Sequence, residues 1–269
     1  MGIYRQARVI YNTARHAAGH WKNTLLDKNP KLLVLVYHRV LPELALDPLC
    51  MVVRAKTFTR QVEELARRFP VISLTDAAGQ CRSGRSMSKV QAVLTFDDGY
   101  ADNFETVFPV LRKKGLVATF FVPTDFLDGN AKFPDGRLYD RKTGALHNHV
   151  KGSFLNWDEA KAIGRGGMEI GSHGKSHCSL TAMPLEAARK EIIESKKAME
   201  ANLQRPCDHF AFPFGSRHDY NETLVDCVKG AGYKTCMLNM HGYNRFSGDI
   251  FCFRRIIMEE TTSISHLFG

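Results

Sequence analysis

Apolar residues in this chain collect into short runs, and between the runs they recur every three or four positions, the pattern of strands alternating with helices. Residues 32–36 form one such run and predict a buried strand. Residues 57–69 follow, with Phe58, Val62, Leu65 and Phe69 on one side of an amphipathic helix. Further strands are predicted at 71–74 and 92–96, the second running straight into Asp97-Asp98-Gly99. A helix over 102–114, closed by Gly115, leads to a strand over 117–122. Asn156, with Glu159 three residues on, predicts a capping box, and Gly166-Gly167 ends that helix before a strand at 168–170. Pro184 opens a long helix in which Leu185, Ala188, Ile192, Met199 and Leu203 recur at helical spacing, with Glu186 and Lys190 as an exposed supporting pair. Strands at 209–212 and 233–238 flank a last helix around 221–229.

Alternation at this rate predicts the α/β class with a parallel sheet, closed or open. His38, Asp97, Asp98, Thr124, His173, Phe214 and His241 each fall just after a predicted strand. That edge, at the C-terminal ends of the strands, is where barrels build their active sites, so a (β/α) barrel with one mouth is expected. No linker divides residues 30–269, which read as one barrel domain. The stretch 127–153 is rich in Gly, Lys, Asp and His and has no periodicity; it reads as a lid, a substrate-binding insertion or a plain surface loop.

Composition narrows the class. Of 269 residues, 44% are apolar and 24% charged, which excludes a disordered or collagen-like chain. Seven cysteines, without a CxxC pair and odd in number, argue against a disulfide framework or a zinc ribbon and for a reducing compartment. The N-terminus lacks the uninterrupted apolar segment of about 7–15 residues that a secretory signal needs, so cytoplasmic residence is expected. A formal charge of +9 points to anionic company. Nucleic acid is not expected, because beyond the N-terminal segment the basic residues are dispersed without interleaved stacking aromatics. Wound as a helix, residues 1–29 gather Ile3, Ala7, Ile10, Ala14, Ala17, Ala18, Trp21 and Leu25 on one side and Arg5, Arg8, Arg15 and Lys22 on another. Such a basic amphipathic helix either packs on the barrel or, through residues 1–28, touches the inner face of a membrane as a peripheral anchor.

The candidate chemistry lies in two adjacent carboxylates at a strand end and a His173-x-x-x-His177 pair. Successive strand residues point to opposite sides, so Asp97 and Asp98 cannot aim at one atom unless the backbone leaves the pleat, and different roles are expected. A catalytic divalent metal takes three protein ligands and keeps one position open, and imidazole and carboxylate both suit zinc. His173, His177 and one aspartate supply that count, and Gly174 allows the pair to converge from a helical turn or a tight loop. Taken singly, each feature has a plainer reading: the aspartates as turn and helix cap, the histidines as surface or capping residues.

Taken together and in order, Thr95-Phe96-Asp97-Asp98-Gly99, Ala118-Thr119-Phe120-Phe121, Gly171-Ser172-His173 and Phe210-Ala211-Phe212-Pro213-Phe214-Gly215 resemble the NodB-homology polysaccharide deacetylases, the fourth carbohydrate esterase family. The resemblance runs over about residues 33–257. It implies a distorted (β/α) barrel, a saccharide substrate that loses N-acetyl groups, and a divalent metal, Zn2+ foremost, on Asp98, His173 and His177. It further implies Asp97 as general base and the Phe214 backbone N–H, next to Pro213, as donor to the tetrahedral oxyanion. Two positions depart from the family pattern. Ala211 stands where the third motif usually carries an arginine that orients the catalytic aspartate, as in related members with a Phe-Ala-aromatic-Pro-aromatic-Gly version; Arg255, in Phe253-Arg254-Arg255-Ile256, is expected to take that role. No late Leu-x-His motif supplies the general acid, which leaves His38, His241 and His266 as candidates, each also readable as a structural histidine.

The expected function is N-deacetylation of a saccharide in cell-surface polysaccharide or glycolipid biosynthesis, on a lipid-linked substrate if the N-terminal anchor is real. Hydrolysis of other non-peptide C–N bonds on the same barrel stays open. So does a non-catalytic glycan-binding or scaffolding descendant, which Ala211 and the missing late histidine would favour. An aspartyl phosphatase fits poorly, because those enzymes usually separate their acids by one residue and Asp97 and Asp98 are contiguous.

Overall fold

The computed structural model describes residues 31–44, 51–84, 89–129 and 154–265. The first apolar run becomes β1 (Lys31–Tyr37), followed by a small parallel pair, β2 (Arg39–Leu41) and β3 (Val52–Arg54), and by α1 (Ala55–Arg68). Next come α2 (Leu74–Ser83), β4 (Gln91–Phe96), a π-helical turn at Asn103–Val107 running into α3 (Phe108–Lys113), β5 (Thr119–Val122) and α4 (Thr124–Leu127). The remainder holds α5 (Trp157–Arg165), β6 (Glu169–Ser172), α6 (Leu185–Leu203), β7 (His209–Ala211), α7 (Glu222–Gly230), β8 (Thr235–Met237), β9 (Asn244–Arg245) and β10 (Ile256–Ile257).

The larger sheet has the order β10-β1-β4-β5-β6-β7-β8, parallel along that path, with β9 antiparallel on β1. It curls until its ends approach: Phe253 bridges to Met237 of β8, and just beyond it Ile256 pairs with Leu35 of β1. This is the distorted (β/α) barrel that the family resemblance implies, and the closed alternative of the parallel sheet that the alternation leaves open. Alternate strand residues serve two cores. Leu33, Leu35, Leu94, Phe96 and Phe120 pack outward against helix residues such as Phe58, Val62 and Ile163, whereas Leu32, Val34, Val93, Phe121, Met237 and Phe253 fill the inside. Both faces being covered, every residue of β4 is buried.

The capping box predicted at Asn156 is present, its side chain accepting from the N–H groups of Asp158 and Glu159 while Glu159 accepts from Asn156 N. Three local expectations need correction. Residues 71–74 are not a strand: Val71 makes an isolated bridge to Ala92, and Ser73 caps α2 by accepting from Asp76 N at 2.9 Å, so helix capping outweighs a short apolar run. Leu185 is 41% exposed, because the first turn of α6 stands clear of the core that takes Ala188, Ile192 and Met199. The expected helix over 102–114 opens as the π-helical turn, where Asp102 and Asn103 bend inward to Val40 N and His38 O. The predicted helix at 1–29, His266 and nearly all of the predicted insertion lie outside the described residues. Among the described residues no helix is long and apolar enough to cross a membrane, and no disulfide joins the cysteines.

A polar knot closes the barrel at the end opposite its mouth, where the strands begin. Glu169, first residue of β6, accepts from Thr119 Oγ1 at 2.6 Å and from Leu74 N and Thr75 N, the first free N–H groups of α2, at 2.9 and 3.0 Å, and it faces His209 Nε2 at 3.7 Å. Burial pushes its carboxyl up, but His209 and the two threonine hydroxyls more than offset this and hold it at about 2, against an ordinary 4.5. A depressed acid stabilises the fold above its unfolded value and loses that contribution as pH falls toward the folded one. Glu169 therefore contributes about 3 kcal/mol above pH 4.5, fading between pH 4.5 and 2. Glu169→Gln is expected to lower urea stability at neutral pH by about 1–3 kcal/mol and to flatten the acid limb between pH 4.5 and 2; an acid limb as steep as that of the wild type would contradict the assignment.

Candidate active site

The C-terminal end of β4 sends its two acids in different directions. Asp97 N still donates to Tyr37 O at 2.9 Å, continuing the β1–β4 ladder, so its side chain enters the barrel interior. Asp98 leaves the pleat with φ +71°, and Gly99 follows with φ +66°. A Cβ on Gly99 would lie 2.3 Å from Val122 Cγ1, so the turn admits no other residue without displacing β5.

Inside the barrel Asp97 meets Arg255 in a two-pronged pair, Nη1 to Oδ1 at 2.7 Å and Nη2 to Oδ2 at 2.6 Å. Neither residue is exposed at all. The guanidinium is itself held by Nε donating to Leu238 O at 3.1 Å and by its lean over the Phe121 ring at 5.8 Å. Burial pushes the Asp97 carboxyl up, yet the charge of Arg255, then that of His173, hold it below the usual carboxylate range. Arg255 thus stands against the aspartate, where the sequence expects it, and Ala211 contributes its backbone instead: its carbonyl takes a hydrogen bond from His173 Nδ1 at 2.8 Å.

That last bond settles the tautomer of His173. A carbonyl only accepts, so Nδ1 carries the proton and Nε2 turns to the carboxylates, 3.4 Å from Asp98 Oδ1 and 3.7 Å from Asp97 Oδ2. His177 Nε2 approaches the same Asp98 oxygen at 3.0 Å. Asp98, His173 and His177 are all buried and present one ligand atom each within 4.8 Å of one another. Two carboxylates share this pocket with one guanidinium, which leaves a negative charge for a cation or a second imidazole proton to balance. In the absence of such a cation His173 is drawn toward protonation, burial opposing and the two aspartates prevailing. A carboxylate, an imidazole fixed by a carbonyl through its far nitrogen, and a second imidazole form the donor set that a divalent metal requires, so the residues fit one.

Backbone strain concentrates at the same place. Four non-glycine residues among those described adopt positive φ, and three of them are Asp98 (+71°), His177 (+57°) and Phe214 (+62°). Each such conformation costs about 1–2 kcal/mol and persists only where the surroundings impose it. Phe214 follows β7; its ring packs 5.0 Å from that of His177, and its carbonyl accepts from Asn239 Nδ2 at 3.0 Å. Pro213 stands against the histidine loop, 3.6 Å from where a Cβ on Gly174 would lie. Half-buried His38, at the end of β1, is close enough that its charge acts on both aspartates. His241 comes after β8, and burial holds its imidazole below the usual range.

Two supports escaped the sequence. Asp102 accepts from Arg39 Nε at 3.0 Å and Val40 N at 2.7 Å, and Arg39 lies over the Tyr100 ring at 4.6 Å, locking the start of β2 to the turn after Asp98. An aspartate at the head of a predicted helix reads as a cap, which hid this one. Asn239, which holds Phe214, had no local signal at all.

The family model for polysaccharide deacetylases matches residues 84–236, more than half of the chain. The Bacillus subtilis protein YxkH, whose name refers it to the polysaccharide deacetylases, is 24% identical over 209 residues; the match covers 77% of this chain and only 64% of that relative. The fold is shared with PplD, a Streptococcus pyogenes deacetylase solved in complex with acetate, at a TM-score of 0.73 and 19% identity, covering 89% of this chain and 97% of that one. IcaB from Ammonifex degensii gives a TM-score of 0.68 at 20% identity, over 90% of this chain and 96% of its own. With the family's sequence pattern running through the strands that carry Asp97, Asp98, His173 and His177, this chain belongs to the polysaccharide deacetylase family.

Proposed function

We propose that the protein is a metal-dependent N-deacetylase of an amino-sugar-containing saccharide, working in the biosynthesis of cell-surface polysaccharide or glycolipid. The observation that carries this reading is the junction of two units: Asp97 clamped by Arg255, and the Asp98–His173–His177 cluster beside it, joined where His173 Nε2 comes within 3.7 Å of Asp97 Oδ2. Asp98, His173 and His177 would hold a divalent cation, Zn2+ by donor chemistry. Bound there, it supplies Lewis acidity to the acetyl carbonyl and to an attacking water.

The chain's own residues do the rest. Asp97, kept ionised and fixed in orientation by Arg255, takes the proton of the water as its oxygen attacks the acetyl carbon. The Phe214 backbone N–H, set by a turn at φ +62°, donates to the oxyanion that forms. His38 returns a proton to the leaving nitrogen as the C–N bond breaks, giving acetate and a free amine. It is preferred over His241 because β1 lies directly beside β4 in the sheet, and because its charge reaches both aspartates. Acetate, which names the complex of the Streptococcus pyogenes deacetylase, is the product this reading expects. A lipid-linked saccharide, peripheral membrane contact through residues 1–28 and cytoplasmic residence rest on the sequence of the N-terminal segment and the charge of +9.

The test is acetate release from a panel of N-acetylhexosamine glycans, with and without chelator. Acetate is expected only from metal-loaded protein, and Asp98→Ala or His173→Ala is expected to lose stoichiometric metal. Purified protein that takes up no divalent ion under any loading condition would overturn the reading.

A further inference from the structure

The loop carrying both histidines does not hold its own shape. Gly174 and His177 have φ of +76° and +57°, and the five residues from His173 to His177 lie in neither helix nor strand, so no regular ladder pairs their backbone groups. Their polar backbone groups are tied from outside. The carbonyls of Gly174 and Lys175 accept from Thr124 N at 3.3 Å and Asp125 N at 2.9 Å, the first turn of α4. Gly174 N donates to Ser172 Oγ at 3.2 Å, and that hydroxyl donates to Ser195 Oγ of α6 at 2.8 Å. On the other side a single carboxylate takes three more groups. Glu191 Oε2 accepts from Lys175 N at 3.0 Å and Ser176 N at 2.9 Å, while Glu191 Oε1 accepts from Ser176 Oγ at 2.9 Å.

We propose that Glu191 is a positioning residue for the metal site: it fixes the spacing of His173 and His177 by clamping the peptides between them to α6. This rests on the metal-dependent reading above. The 19-residue helix α6 gives the clamp a rigid base, since Ala188, Ile192, Ser195 and Met199 bury its inner face on both sides of Glu191. Two imidazoles bind one cation tightly only if they already point at it. A loop released from Glu191 samples other arrangements, and the ordering it has lost must then be supplied on binding. Glu191 acts on the histidines through the residues between them, by way of Lys175 N, Ser176 N and the Ser176 hydroxyl.

The experiment titrates metal-free full-length protein with Zn2+ in competition with a chromophoric chelator. Glu191→Ala is expected to weaken Zn2+ binding about 10–100-fold, the scale of lost outer-shell support. Glu191→Asp, one methylene shorter, is expected to weaken it as well while keeping the charge. Glu191→Gln keeps an oxygen for the two N–H groups and turns its amide toward Ser176 Oγ, so it is expected to bind close to wild type. Lys190→Ala, next on the helix and 73% exposed at its side chain, is expected to change nothing. Wild-type affinity in both Ala and Asp variants overturns the proposal, as does a Gln variant as weak as Ala. Should the Ala variant fail to fold, judged by melting of the metal-free protein, the Asp variant decides. Wild-type protein that binds no Zn2+ overturns the metal reading instead, which keeps the two failures apart.

Discussion

Asp97→Asn is expected to cut acetate release about 10²–10⁴-fold, the range attached to a positioned general base, while the preparation still carries its divalent ion. The substitution is nearly isosteric and leaves Asp98, His173 and His177 in place, so metal content and turnover should part company. It also turns a donor toward one prong of Arg255 and leaves a guanidinium with no exposure facing a neutral amide. Removing one partner of a buried pair costs about 3–5 kcal/mol, so urea stability should fall too. Turnover therefore has to be expressed per folded, metal-loaded molecule. Wild-type turnover on that basis would remove Asp97 from the reaction.

Arg255→Met is expected to be the second most damaging change, because it leaves the Asp97 carboxylate buried without its countercharge. The loss is again about 3–5 kcal/mol by urea denaturation, accompanied by a fall in turnover as the carboxylate loses the two bonds that aim it. Arg255→Lys separates the two effects. An ammonium restores the charge, yet it lacks the planar fork and cannot both grip Asp97 with two parallel bonds and donate to Leu238 O. Lysine should therefore recover part of the stability and little of the turnover. A methionine variant as stable and as active as the wild type would show that Asp97 is oriented by something else.

Much of this site is legible before folding, but unevenly. The adjacency of Asp97 and Asp98 already implies divided roles, and the structure divides them, one toward Arg255 and one toward the histidines. The spacing of His173 and His177 allows either a helical turn or a tight loop, and the positive φ of Gly174 and His177 makes it the loop. Glu191 was invisible as anything but an exposed acid on an amphipathic helix. Its partners are two peptide N–H groups, which every residue except proline possesses, so side-chain chemistry gives no clue to such a clamp. The start of α2 departs from the expectation for a related reason: Val71, Ile72 and Leu74 favour a strand while Ser73 among them is a helix cap, and Glu169, accepting the first N–H groups of that helix from 95 positions away, reinforces the cap.

The sequence by itself determined the alternation of the main strands and helices, the buried character of β1 and β4, the capping box at Asn156, and Asp97, Asp98, His173 and His177 as the candidate cluster. All of these follow from periodicity or spacing over a few residues, where backbone geometry is nearly independent of the rest of the molecule. Only the tertiary structure decided that Arg255 reaches Asp97 across 158 positions, that the strand before His38 lies directly beside the strand carrying the aspartates, and that α6 holds the histidine loop. The reason is the curl of the sheet. Pairing β1 with both β4 and β10 brings the last strand beside the first acids, and no local pattern encodes how far a twisted parallel sheet must turn before its ends meet.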